Sequence, residues 1–194
     1  MLFIKNVTKT YDNVKKAVDN LTLQVADGEI FGFIGHNGAG KTTTIKSVVG
    51  ILDFEDGEIF VDGINVKEEP IQAKQRIAYI PDNPDLYENL TGIGYLNFIA
   101  DIYKLAAKEK NQDIEKFSTM FELKDKLGDL ISTYSHGMKQ KLALISALIR
   151  KPRLMILDEP FVGLDPKAAF TIKKVMREMC ETGTSIFFST HVLE

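Results

Sequence analysis

Along the first eighty residues the apolar positions follow short, strand-like rhythms. Leu2 to Val7 is rich in apolar and β-branched residues, and Leu21-Thr22-Leu23-Gln24-Val25 alternates with period two before the turn Asp27-Gly28. Glu29 to Ile34 is a short, mostly apolar run and predicts a strand buried on both faces. A glycine-rich loop follows. Thr42 to Val49 then predicts a helix, with Gly50 placed to cap its C-terminus. Glu58 to Val61, the turn Asp62-Gly63 and Ile64 to Val66 read as a hairpin. Ile77 to Ile80 reads as another buried strand, closed by Pro81.

From Thr91 to about Arg150 the rhythm becomes helical. Ile93, Leu96, Ile99, Ile102 and Tyr103 recur at helical spacing, and Met138 to Arg150 places Leu142, Ile145 and Ile149 on one face. Strand-like sequence returns at Leu154 to Leu157. A helix over Pro166 to about Glu181 then precedes a strand over Ser185 to Ser189. Strands separated by helices predict an α/β fold with a mainly parallel sheet, an antiparallel β portion at the N-terminus and an inserted α-helical lobe. The expected division is a core of about 1–83 and 152–194 with a helical lobe over about 84–151.

Composition changes this picture little. Of 194 residues, 44% are hydrophobic and 26% charged, an ordinary globular balance. The net charge of −3 lacks the basic footprint of a nucleic-acid binder, so no nucleic-acid partner is expected. The one cysteine, Cys180, has no partner for an internal disulfide, which suits a reducing compartment. The start of the chain shows no signal-peptide pattern, and no apolar stretch approaches the ~20 residues of a spanning helix.

The chemistry concentrates first at Gly35-His36-Asn37-Gly38-Ala39-Gly40-Lys41-Thr42, a complete phosphate-loop pattern between a predicted strand and a predicted helix. Glycines let the backbone approach phosphates with no Cβ in the way. Loop and helix N-terminal N–H groups favour an anion. Lys41 supplies a point charge for the β and γ phosphates, and the Thr42 hydroxyl suits Mg²⁺. The residues expected to bind ATP therefore run from Gly35 through Thr43, with His36 as a solvent-facing spacer within the loop.

A second concentration is Leu154-Met155-Ile156-Leu157-Asp158-Glu159, an apolar strand ending in two carboxylates. An acid at such a strand end in phosphate-loop proteins helps hold Mg²⁺, a role that suits Asp158. Glu159 would lie beside the γ-phosphate and polarise the attacking water. Read alone, two solvated acids at a strand end are common; the loop at Gly35 is what gives them a task.

With these motifs in place, the sequence resembles the ATP-binding subunit of ABC transporters over essentially its whole length. Gly35 to Thr43 looks like Walker A, and Leu154 to Glu159 like Walker B with its following glutamate. Tyr134-Ser135-His136-Gly137-Met138-Lys139-Gln140 resembles the family signature, Gly163-Leu164-Asp165 the D-loop, and His191 the switch histidine. Tyr11 stands where the family places an aromatic against adenine. The resemblance implies that Ser135 and Gly137 meet the ATP of a second ATP-binding subunit, as a homodimer or heterodimer. It also implies transmembrane permease partners and a cytoplasmic, peripheral location on the inner face of the cell membrane. On residue type alone, Ser135 reads first as an ordinary helix cap, Tyr11 as a residue packed on the sheet, and His191 as a buried structural histidine.

Two departures stand out. The family's lid glutamine is replaced by Asp82, which can reach Mg²⁺ but adds negative charge beside the phosphates. His136 replaces the first signature glycine, so its side chain must point away from the partner's phosphate, and Met138 replaces the usual final glutamine. The family generally continues beyond the switch histidine into further strands and a helix, so the C-terminal part reads as truncated at Glu194. The alternative function is a soluble ABC ATPase acting on chromosomes or ribosomes. The sequence has neither a long heptad insertion nor a second copy of the motifs. A GTPase would need an Asn-Lys-x-Asp motif, which is absent.

Overall fold

Strand β1 (Leu2–Tyr11) buries Leu2 and Ile4 and exposes Phe3 and Lys5, the period-two pattern of a half-buried strand. At Asn6 the backbone turns left-handed (φ 51°) and the register shifts, so Val7 rather than Asn6 resumes the inward face. Thr22 holds this bulge: its Oγ1 accepts the Asn6 N–H (2.9 Å) and donates to Asn6 Oδ1 (2.8 Å). These features belong to a computed structural model that describes residues 1–12 and 15–191.

Two four-stranded sheets form. In the first, β1 pairs antiparallel with β2 (Lys15–Val25) and with β4 (Asp56–Val61), and β5 (Ile64–Asn65) extends the sheet from β4. In the second, the order is β3 (Ile30–Ile34), β8 (Ser185–Thr190), β7 (Leu154–Asp158), β6 (Ile77–Ile80). Both β3 and β7 run parallel to β8. The rings of Phe31 and Phe33 pack on Phe187 of β8 at centroid distances of 5.7 and 5.5 Å. The fold is α/β, with the expected antiparallel portion and parallel sheet.

Helix α1 (Lys41–Val48) has a poor intrinsic sequence, KTTTIKSV. Each β-branched residue costs up to ~0.7 kcal/mol relative to alanine. Burial outweighs this: Ile45 and Val48 are fully buried in one cluster with Leu2, Ile4, Ile59, Ile156 and Phe187, and each is worth about 1.5–3 kcal/mol. Tertiary packing thus sets α1 where propensity would not. Helix α2 (Pro70–Arg76) has no counterpart in the sequence-based expectation. It is seven residues long and buries only Ala73, too little periodicity to read.

The remaining helices are α3 (Gly92–Ile102), α4 (Ala107–Met120), α5 (His136–Leu148) and α6 (Pro166–Glu181). The buried stripe of α3 differs from the expected one. Gly92, Tyr95, Leu96 and Ala100 face inward, whereas Phe98 and Ile102 are 41% and 54% exposed. The cause is close packing: a Cβ on Gly92 would lie 2.3 Å from Tyr134 Oη, so small residues mark the inner face. Helix α5 is buried on all sides from Leu142 onward. The chain divides into two compact units, 1–79 with 152–160 and 176–194, and 80–151 with 161–175.

Candidate functional site

Parallel pairing brings the carboxyl ends of β3, β8 and β7 to one edge, since Ile34 pairs with Thr190 and Asp158 with Ser189. Ligands of open α/β sheets bind outside such an edge. The loop 35–40 leaves β3 there, anchored by the Gly35 N–H to Thr190 O (3.2 Å) and closed by the Ala39 N–H to His36 O (3.1 Å). Gly40 has φ 87°, and a Cβ on it would stand 2.2 Å from Ala17 O. Glycine is therefore required at this position for both conformation and space. Its carbonyl accepts from Thr44 N (2.8 Å) and Thr44 Oγ1 (2.9 Å), starting α1. The first turn of α1 holds no acid. Its leading amides, which have no intrahelical acceptors, therefore keep the positive end of the helix open to an anion.

Lys41 is only 7% exposed. Its Nζ donates to Gly35 O (2.6 Å) and His36 O (3.2 Å) and lies 3.7 Å from Glu159 Oε1. The ammonium is thus held across the mouth of the loop by partners a phosphate could replace. His36 is exposed and turns Nδ1 to Asn37 O (2.8 Å), so its ring faces solvent as expected of a spacer. Thr42 is exposed on the first turn of α1. Tyr11, 41% exposed at the end of β1, reaches Thr43 Oγ1 with its hydroxyl (3.4 Å), which places an aromatic ring beside the loop.

The two acids of β7 sit in different surroundings. Asp158 is 2% exposed, and Ser189 Oγ donates to its Oδ1. Its Oδ2 is buried with no hydrogen-bond partner among the described residues. An orphaned buried carboxylate oxygen is costly unless something else satisfies it, and a hard cation with oxygen ligands fits that demand. Glu159 has a left-handed backbone (φ 49°), and its N–H donates to Ser189 Oγ (3.1 Å). Its carboxylate lies between Lys41 on one oxygen and His191 on the other. His191 Nδ1 is 2.9 Å and its N–H 3.4 Å from Glu159 Oε2. Among the described residues, Ser189 is the positioning group that sequence reasoning missed. Its only signal was a hydroxyl closing an apolar strand.

The other candidates fall in the second unit. Ser135 caps α5, its Oγ accepting the Met138 N–H (3.3 Å), and Gly137 lies in the first turn of that helix. Asp165, in the segment that resembles a D-loop, accepts the Ala168 N–H (2.8 Å), which holds its carboxyl below the usual range. Asp82 is exposed and turns its carboxylate onto its own backbone at Asn83 N (2.9 Å).

A family model for the ABC transporter matches residues 18–162. The chain belongs to the ABC transporter family. Among curated ABC transporter relatives it is 37% identical over 194 residues to the uncharacterized ABC transporter ATP-binding protein YhcH of Bacillus subtilis strain 168. That match covers 100% of this chain and 62% of YhcH. The chain thus spans about three-fifths of this ABC transporter relative. A solved ATP-binding subunit of an ABC transporter matches at TM-score 0.94 and 35% identity, over 100% of this chain and 80% of that one. The dimeric ATP-binding cassette MJ0796, in a post-hydrolysis state bound to ADP and Pi, matches at TM-score 0.88 and 24% identity. That match covers 99% of this chain and 88% of the other, and it shows a shared fold.

Proposed function

We propose that this chain binds and hydrolyses ATP to drive a substrate across a membrane through separate transmembrane permease subunits. The observation that carries this reading is the convergence of Lys41, Glu159 and His191 on the mouth of a complete phosphate loop. The loop amides and Lys41 would bind the phosphates, and Tyr11 would cover the adenine. Glu159 is suited to accept a proton from the attacking water, and His191, 2.9 Å away, to orient that carboxylate. Thr42 and Asp158 would hold Mg²⁺, with Asp158 Oδ2 as the unsatisfied oxygen. Asp82 is a further candidate ligand. Mg²⁺ when bound neutralises phosphate charge.

Ser135 and Gly137 would meet the nucleotide of a second ATP-binding subunit, so two chains would complete each site. MJ0796, which shares this fold, is dimeric and bound to ADP and Pi, and this supports pairing alone. No helix among the described residues is long and apolar enough to cross a membrane. In this reading, attachment to the inner face of the membrane would come from the permease.

The test is Lys41→Ala with ATP titrated against the chain by calorimetry. Affinity is expected to fall by at least about a hundredfold, the value of losing a charge-assisted contact worth ~3 kcal/mol. Unchanged affinity would remove the phosphate site from this loop.

A further inference from the structure

The signature departs from its family pattern at His136, and the structure gives that side chain a specific neighbour. The imidazole is exposed at the first position of α5. Its edge covers the turn at Gly163: a Cβ built on Gly163 would stand 3.1 Å from His136 Cδ2 and 3.5 Å from Nε2. One residue on, a Cβ on Gly137 would meet Gly163 O at 3.7 Å and Leu164 Cδ2 at 4.0 Å. Residues 136–137 and 163–164 therefore touch, within one compact unit. Gly163 has φ 76°, so glycine both permits the left-handed turn and leaves the space that the ring fills. Downstream, Asp165 fixes the start of α6 through the Ala168 N–H. Upstream, the turn leads directly from Glu159.

We propose that His136 is a positioning residue whose ring clamps the turn 161–165 against the N-terminus of α5. The signature residues and the turn 161–165 are thereby held in one arrangement within this unit. A turn pivoting on a left-handed glycine with no covering side chain opens locally at little cost. The imidazole supplies that cover through ring packing, not through its nitrogens. The catalytic consequence rests on the ATPase reading above. The clamp itself does not.

The test compares the parent chain with His136→Ala and His136→Phe. It reads amide hydrogen exchange over residues 163–165, ATP affinity, and kcat and KM. His136→Ala is expected to speed exchange at these amides and to lower kcat by about tenfold, as a small misplacement near a reacting group does. Its ATP affinity stays within about twofold of the parent's, since the loop at Gly35 is untouched. His136→Phe restores both exchange and kcat, because a planar ring again covers Gly163. Unchanged exchange in His136→Ala overturns the clamp. Faster exchange with unchanged kcat overturns the positioning role. Failure of phenylalanine to restore protection overturns the packing argument. A parent chain without ATPase activity instead sinks the functional reading and the positioning role that depends on it. The exchange result still decides the clamp.

Discussion

At the scale of single residues, the site is built from side chains that each satisfy two demands. Ser189 is the clearest case: its one hydroxyl donates to Asp158 Oδ1 and accepts the Glu159 N–H. Ser189→Ala would strand a buried carboxylate oxygen and a backbone amide together. Each buried unsatisfied group costs about 1–3 kcal/mol. The expected outcome is a loss of about 2–4 kcal/mol in urea unfolding, with hydrolysis reduced because both acids lose their anchor. A loss below about 0.5 kcal/mol would mean that water replaces the hydroxyl without penalty. Glu159→Gln makes a different claim. Glutamine keeps the shape and can still hydrogen bond, but it is a poor proton acceptor. ATP binding is expected to persist while kcat falls by about 10²–10⁴-fold, the usual worth of a general base. A Glu159→Gln chain that turns over ATP at the parent rate would show that the proton leaves by another route.

At the scale of elements, the loop and the helix it starts depend on glycine at one point. Gly40→Ala forces a Cβ to 2.2 Å from Ala17 O on a backbone with φ 87°. Backbone cannot retreat as a flexible side chain can, so the loop must shift. The expected result is a destabilisation of at least about 1–3 kcal/mol together with loss of ATP binding, read by thermal unfolding with and without nucleotide. Parent-like stability would mean that β2 yields at Ala17. This element was legible in the sequence because phosphate chemistry dictates glycine spacing, and so were β7 and β8, whose apolar runs are largely buried. The strand β3 forms where expected but is not buried on both faces: it is the edge of its sheet, and Ile30 and Ile34 are exposed. What stayed hidden has physical causes. Lys15 to Asn20 is largely polar, yet it forms half of β2 because backbone pairing with β1 needs no apolar side chains. The inner face of α3 is chosen by Gly92 and Ala100, and small residues carry little hydrophobic signal. The pairing of Asp158 with Ser189, and of Glu159 with His191, depends on β7 and β8 being sheet neighbours, an order that no local pattern encodes.

At the scale of the whole molecule, one chain holds a complete phosphate loop and its two acids in one unit, and a capped signature helix in the other. If Ser135 and Gly137 serve the nucleotide of a second copy, ATP must bind the paired state more tightly than the single one. ATP can shift separate chains to pairs only by as much as it binds the paired state more tightly than the single one. Hydrolysis would end that preference within a turnover, so the parent chain would populate the pair only briefly. Glu159→Gln should hold it. In sedimentation velocity, Glu159→Gln with ATP and Mg²⁺ is expected to run as a dimer. The same chain with ADP, or with ATP and excess chelator, is expected to run as a monomer. Adding Ser135→Ala should weaken the dimer by an amount beyond the loss of the α5 cap. The cap alone is worth ~1 kcal/mol of stability, and it is measured separately by unfolding in the absence of nucleotide. If Glu159→Gln stays monomeric at every ATP concentration while still binding ATP, the signature helix does not reach a second nucleotide. The site would then be confined to the unit that carries Lys41.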